Sequence, residues 1–571
     1  MLRGISVSPG IAVSQAYVLK DNCDVSRKDI LPEEIQKELE RLDRAIDESR
    51  RQLNDIYAEA KLALSEDESE IFAFHLAMLD DVSLLDGIRS RISAQLMAAE
   101  TAVERAVEEV AQLFESIEDD YLKARKDDLK EVGSGLIKNL IVQVCPGDDK
   151  PKCPENAILV SRDIKAGDLF LLNRKTIAGI AVENGNETSH AAIISKSLGI
   201  PLVIGIIGLM DSVRDGHLVV LDACSGIVVN EPSPEEIEKY RKLKLEYEQR
   251  TEKLRCLVGL PCMTTDGCEA TLMGNAGTLD EVRLVSENGG TGVGLFRTEM
   301  LFMERDSIPS EDEQFEIYKN ALELLGGGCL TIRTLDAGGD KEVPHLGLEK
   351  EDNPFLGLRG IRFCLARKDL LYSQLKAILR ASCYGDIRVM FPMISAIHEL
   401  REAKSDMTEI VRELQASGIP CNPQLKIGVM IETPAAALIS DILFNEVDFV
   451  SIGTNDLSQY VTAADRTNPK VRQLCTPFHP AVIRLISLVI REGLKNGKEV
   501  GMCGEMASSL EAVPLLLGLG LKEFSVSPSF LLPVKERILS LSAKECAAVA
   551  QKVLELESDG DVYTYLKEYT P

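Results

Sequence analysis

No stretch of the chain supplies the roughly 18 consecutive apolar residues that a membrane-spanning helix needs. The opening, MLRGISVSPGIAVSQAYVL, lacks the uninterrupted apolar core of a signal peptide. A cytoplasmic protein without direct membrane insertion is expected. The 14 cysteines are scattered and none is spaced as C-x-x-C, which argues against a disulfide or zinc framework and for reduced thiols. Basic residues are in deficit, 64 Lys and Arg against 91 Asp and Glu, a formal net charge of −27. That balance argues against nonspecific nucleic-acid binding, whose affinity comes from Lys and Arg neutralising phosphates. It leaves room for a local basic site. What remains is ordinary for a globular protein, with 45% apolar and 27% charged residues. A chain of 571 residues predicts about three or four domains.

Proline is absent between residues 33 and 145, so nothing there breaks a helix. Ile35, Leu39, Leu42, Ile46, Leu53 and Ile56 follow the steps of an a/d seam. Residues 21–145 are read as an all-helical module inserted into an α/β domain made of residues 1–20 and 146–231. Residues 21–150 hold 17 basic and 32 acidic side chains, a net −15. Most of these charges read as a solvated helix surface. The sharper reading is a docking face for a partner with a basic patch. Short β-branched runs (157–160, 177–182, 218–221) then alternate with Gly and Asp turns. Residues 232–258 form a linker, a helix polar nearly all round with opposite charges at i,i+4. From 259 to 571 strand and helix alternate. Strand ends are expected near Asn275, Arg297, Arg333, Met393, Glu432, Asn455, Cys503 and Ser525, which fits a (β/α)8 barrel with its chemistry at those ends. An open doubly wound sheet is the alternative.

Within VENGNETSHAAIISKSLGIP, Thr188 and Ser189 are N-cap residues, and Gly199 with Pro201 ends the helix. His190 then sits in the first turn, where free N–H groups and the helix dipole attract anions such as a phosphorylated imidazole. From position alone a surface or packed histidine without chemistry is the favoured reading, and context must lift the other. At the barrel mouth, Arg297, Arg333, Arg359 and Arg466 stand at or after strand ends. Guanidinium forks match phosphate and carboxylate oxygens, so several on one mouth imply a small polyanionic substrate. Any one of them alone reads as a surface ion pair. Glu432 and Asp456 follow neighbouring apolar strands and offer the hard oxygens that Mg²⁺ takes; a general acid/base pair is the alternative. The metal is preferred because the arginines are expected to keep both carboxylates ionised. Cys503, between turn residues in Gly501-Met-Cys-Gly-Glu505, is a candidate proton donor, a thiol being mostly protonated at neutral pH.

The motifs G-L-F-R-T-E, I-R-T-L-D-A-G-G-D-K, N-P-F-L-G-L-R-G-I-R, M-I-E-T-P-A-A, S-I-G-T-N-D-L-S-Q-Y and G-M-C-G-E, in this order and preceded by T-S-H, run along essentially the whole chain. They resemble enzyme I of the bacterial sugar phosphotransferase system, the phosphoenolpyruvate–protein phosphotransferases. The resemblance implies that Glu432 and Asp456 hold Mg²⁺, and that Arg297, Arg333, Asn455 and Arg466 hold phosphoenolpyruvate. It further implies that His190 takes the phosphoryl group, that Cys503 protonates the enolate to give pyruvate, and that the carrier protein HPr receives the phosphoryl group at the helical module. A barrel that forms a homodimer and a histidine domain that swings on the linker also come with it. Pyruvate-phosphate dikinases and phosphoenolpyruvate synthases need a further nucleotide-binding domain, for which no glycine-rich P-loop is found. The nitrogen-regulatory enzyme I carries an added sensor domain for which the chain has no room. A regulatory protein that has lost the relay is the reading from another class. It is motivated by Asn186 and Glu187, which replace the usual Gly-x before Thr-Ser-His, and opposed by His190, Cys503 and both carboxylates. Gly133 and Gly135, where basic residues are common, are expected to weaken their helix by roughly 1 kcal/mol each.

Overall fold

The protein was analysed as a computed structural model, which describes residues 1–19, 29–63, 66–116, 120–144, 154, 156–164, 177–185, 190–197, 199–303, 307–339, 343–348 and 351–569. The a/d seam becomes the inner face of helix α1 (Ile35–Ala63), with Leu42 and Ile46 fully covered. Helices α2 (Glu66–Leu79), α3 (Val82–Gln95), α4 (Ala99–Ser116) and α5 (Asp120–Val144) complete the bundle. Asp81 caps α3 by accepting a hydrogen bond from the Leu84 N–H at 2.9 Å. Gly133 has a packing reason beside its expected cost to the helix. α5 runs through it, and a Cβ there would lie 2.7 Å from Val107 Cγ2, so the missing side chain lets α4 and α5 approach closely. Gly135 faces open space.

Eight strands make one mixed sheet. They are β1 (Leu2–Arg3), β2 (Ile5–Ser8), β3 (Ile11–Val18), β4 (Ala157–Ser161), β5 (Ile177–Val182), β6 (Leu202–Ile204), β7 (Leu218–Asp222) and β8 (Ile227–Asn230), in the order β1-β8-β7-β3-β4-β5-β6-β2. The three strands before the bundle thus interleave with the five after it. Ile56, Ala60 and Phe72 of the bundle share a core with Tyr17, Leu159 and Ile180 of the sheet. The chain forms two compact units, Met1–Thr251 and Glu252–Pro571. Helix α6 (His190–Ser197) stops as expected. Gly199 takes φ +64°, and the Ile200 N–H bonds to the Ser195 carbonyl at 2.9 Å. Helix α7 (Pro234–Arg255) opens on a capping box between Ser233 and Glu236. Tyr240 is its buried residue.

The second unit is a closed parallel barrel, so the open sheet does not apply. Its strands are β9 (Thr271–Ala276), β10 (Gly292–Arg297), β11 (Cys329–Arg333), β12 (Ile387–Phe391), β13 (Lys426–Ile431), β14 (Phe449–Ile452), β15 (Glu499–Met502) and β16 (Glu523–Val526), with β16 pairing back to β9. Each ends within three residues of its expected position, because each apolar run stops where a polar loop must meet water. The main core lies between the strands and the surrounding helices. At the N-terminal end of the barrel, Arg388 on β12 pairs with Glu499 at 2.8 Å and Glu523 at 3.8 Å, over the ring of Phe449.

Candidate active site at the mouth of the barrel

The closed order sets the ends of β10, β11, β13, β14 and β15 around one rim. Arg297, the last residue of β10, is exposed and has no ion pair among the described residues. Arg333 ends β11 and is buried. It pairs with Glu299 and, at 3.5 Å, with Asp336. Burial opposes its charge, but Glu299, Asp336 and Glu432 together hold the guanidinium above its ordinary range. Arg359 lies deeper, 0% exposed, with Nη2 3.0 Å from Asp336 and Nη1 3.2 Å from both Asp456 and the Tyr460 hydroxyl. Its fork thus joins Asp336 to Asp456. Arg466 approaches the other oxygen of Asp456 at 3.8 Å.

Glu432 directly follows β13 and is 1% exposed. Its Oε1 accepts the Met393 N–H at 2.6 Å. Met393 has φ +56°, a left-handed conformation uncommon for a non-glycine residue and typical of functional loops. Gly453, beyond β14, leaves room beside Glu432, since a Cβ there would stand 3.2 Å from Oε2. Asp456 lies in the first turn of helix α8 (Thr454–Thr462), where the helix dipole favours its negative charge. At Glu432 burial works against the expectation that arginines keep both carboxylates ionised. Burial, then Asp456 and Asp336, push it up to about 7 against Arg333 and Arg359. Enclosure outweighs the guanidinium charges because the glutamate has lost almost all of its water.

Asn455 and Glu505 bond reciprocally: the Asn455 amide donates to Glu505 Oε1 at 3.0 Å and its oxygen accepts the Glu505 N–H at 3.0 Å. Cys503, just past β15, is 3% exposed among Leu295, Met390, Met430 and Phe449. Burial pushes its thiol up to about 11, against a hydrogen bond with Ser451 and the charges of Arg333 and Arg297. The thiol therefore keeps its proton at neutral pH. His190 is the first residue of α6 in the other unit. Its side chain lies outside the described residues, as do Asn186, Glu187, Thr188 and Ser189.

Among the described residues no group of three or more His, Cys, Asp or Glu could hold a metal. Two carboxylates that repel one another fit a cation that takes few protein ligands and completes its shell with substrate oxygens and water. That describes Mg²⁺, and Glu432 and Asp456 are the residues that fit it. Glu299, Asp336, Ser451, Tyr460 and the Met393 N–H were not singled out from sequence. Glu299, Asp336, Ser451 and Tyr460 lie inside the quoted motifs, and that was their only signal.

A barrel mouth lined by arginines, two converging carboxylates and a protonated thiol belongs to a class of enzymes that handle a small phosphorylated acid. Three families match: "PEP-utilising enzyme, N-terminal" over residues 3–125, "PEP-utilising enzyme, mobile domain" over 153–226, and "PEP-utilising enzyme, PEP-binding domain" over 251–543. Among curated relatives, the phosphoenolpyruvate-protein phosphotransferase of Bacillus subtilis (strain 168) is 41% identical over 99% of both chains. That of Staphylococcus aureus is 38% identical over 100% of this chain and 99% of its own. A solution structure of "Enzyme I (nEIt)" is 31% identical and covers 43% of this chain and 100% of that one, with a TM-score of 0.38. The chain belongs to the phosphoenolpyruvate-protein phosphotransferase family. It is a phosphotransferase that uses phosphoenolpyruvate, and none of its described helices is long and apolar enough to cross a membrane.

Proposed function

We propose that the protein moves the phosphoryl group of phosphoenolpyruvate to His190 and then to the histidine of the carrier protein HPr, releasing pyruvate. This is the first step of the sugar phosphotransferase system. The observation that carries the reading is the gathering of Arg333, Glu432, Asp456 and Cys503 at the ends of β11, β13, β14 and β15. Arg297, Arg333, Arg359, Asn455 and Arg466 bind the phosphate and carboxylate of the substrate, and Arg359 also pairs with Asp456. Bound at Glu432 and Asp456, Mg²⁺ supplies charge neutralisation. The His190 imidazole attacks phosphorus, the P–O bond to the enol oxygen breaks, and the enolate is left at the mouth. Cys503 gives its thiol proton to the methylene carbon, a C–H bond forms, and pyruvate leaves. The acidic helical module (21–145) receives HPr, the segment 232–258 links the units, and the barrel unit (259–571) forms a homodimer. The protein works in the cytoplasm.

The test is incubation with ³²P-phosphoenolpyruvate and Mg²⁺, comparing wild type with His190→Ala. Acid-labile label on wild type alone, with pyruvate released and label passed to HPr, is expected. Equal labelling of both proteins, or labelling by ATP without phosphoenolpyruvate, refutes the reading.

A further inference from the structure

The backbone around Cys503 is held at every polar group from 503 to 505 for which a bond is described, and one of the partners is a side chain not yet given any role. The Cys503 and Gly504 N–H groups both reach the Ile452 carbonyl, at 3.1 and 3.3 Å. The Glu505 N–H is taken by Asn455. The Cys503 carbonyl is met by the side chain of Asn275, whose Nδ2 donates to it at 3.0 Å. A carbonyl can only accept, so this contact fixes which end of the Asn275 amide faces Cys503. The other end is also engaged: Asn275 Oδ1 accepts from the Ser525 hydroxyl at 2.7 Å, and that hydroxyl also lies 3.0 Å from the Gly274 carbonyl. Asn275 stands near the C-terminal end of β9 and Ser525 near that of β16, the positions from which barrels present chemistry.

We infer that Asn275 is a positioning residue for the thiol, acting through the Cys503 carbonyl and itself oriented by Ser525. A peptide plane held on both sides has one orientation, the Cα–Cβ bond of Cys503 inherits it, and the thiol then reaches the Ile452 carbonyl at 3.9 Å. An unheld carbonyl would let the thiol swing, and a misplacement of about 1 Å costs rate steeply. The inference rests on the reading of Cys503 as proton donor, so the experiment includes a separate check of that reading.

Pyruvate formation from phosphoenolpyruvate is measured for wild type, Cys503→Ala, Asn275→Asp, Asn275→Ala, Ser525→Ala and Asn275→Asp/Cys503→Ala, with thermal melting to confirm folding. Asn275→Asp keeps the shape but sets a carboxylate against a carbonyl. It is expected to lower kcat by about ten- to a hundredfold, the range for partners that orient a functional group, and to leave KM for phosphoenolpyruvate near wild type. Asn275→Ala should lose less and Ser525→Ala least. The double variant should be no slower than Cys503→Ala, because a displaced thiol and a missing thiol fail at one step. A slow Cys503→Ala beside an unimpaired Asn275→Asp and Ser525→Ala overturns the inference and leaves the thiol's role standing. A double variant slowed by the product of the two effects also overturns it. Unimpaired Cys503→Ala removes the thiol's role and the inference with it. If Asn275→Asp does not fold, Ser525→Ala decides: a loss of kcat present with Cys503 and absent from a Ser525→Ala/Cys503→Ala pair supports the inference, and its absence from both overturns it.

Discussion

The two ends of the barrel both carry buried charge, and they use it differently. At the N-terminal end Arg388 serves Glu499 and Glu523, with Lys426 4.0 Å from Glu499. Glu499 is 54% exposed on its side chain, so water screens much of that cluster. At the mouth Glu299, Asp336 and Glu432 are nearly sealed from solvent. Three arginines meet four carboxylates there, and Glu432 is pushed up to about 7. Screened and paired charge holds a structure together, whereas sealed charge left partly uncompensated is poised to receive a ligand. Barrel folds place stability at one face and chemistry at the other, and here the same residue types do both.

The sharpest way to break this comparison is to remove one carboxylate from each end. Asp456→Asn is expected to cost about a thousandfold in phosphoenolpyruvate-dependent labelling and to lower thermal stability as well, since it takes a charged partner from the buried Arg359. Activity within tenfold of wild type would put Asp456 outside the chemistry. Glu523→Ala at the opposite end should leave turnover close to wild type and change stability by only about 1 kcal/mol, since Arg388 keeps Glu499, read by urea denaturation. A variant that keeps its stability and loses turnover would reverse the contrast.

A third measurement uses the shift at Glu432. A carboxyl whose folded pKa exceeds its unfolded one favours folding while it is protonated; that contribution is complete at low pH and is lost as pH rises through about 7. Without divalent cations, Glu432→Gln should therefore melt above wild type at pH 8, and by less at pH 5. An equal difference at both would mean the enclosure is not what shifts the group. The smallest effect is kinetic. With its thiol raised to about 11 and covered, Cys503 should be alkylated at pH 8 more slowly than the exposed Cys256 and Cys383, as followed by mass spectrometry. Equal rates would show an open thiol.

Much of the barrel was legible because its strands are short apolar runs ending in polar residues, and both features are local. Arg297 and Arg333 end their strands, and Glu432 and Cys503 lie one residue beyond, so period and punctuation were enough to find them. The depth of Arg359 was not legible, since a guanidinium after a strand end looks the same whether it faces solvent or Asp456. Nor was the Glu432 shift, which depends on how many sealed acids surround it. Asn275 was placed as a strand end and given no role. Its bonds reach Ser525 and Cys503, 250 and 228 residues away, and only barrel closure makes them neighbours. The packing at Gly133 was hidden for a related reason: propensity prices a glycine by its own helix, while Gly133 also meets Val107 on another.

Closure of the ring by β16 against β9 has a consequence for synthesis. The seam that sets the thiol joins Gly274 and Asn275 to Ser525, so a growing polypeptide on the ribosome cannot assemble it until residue 525 has emerged. A product truncated before that point would present arginines and carboxylates yet lack the brace beside Cys503.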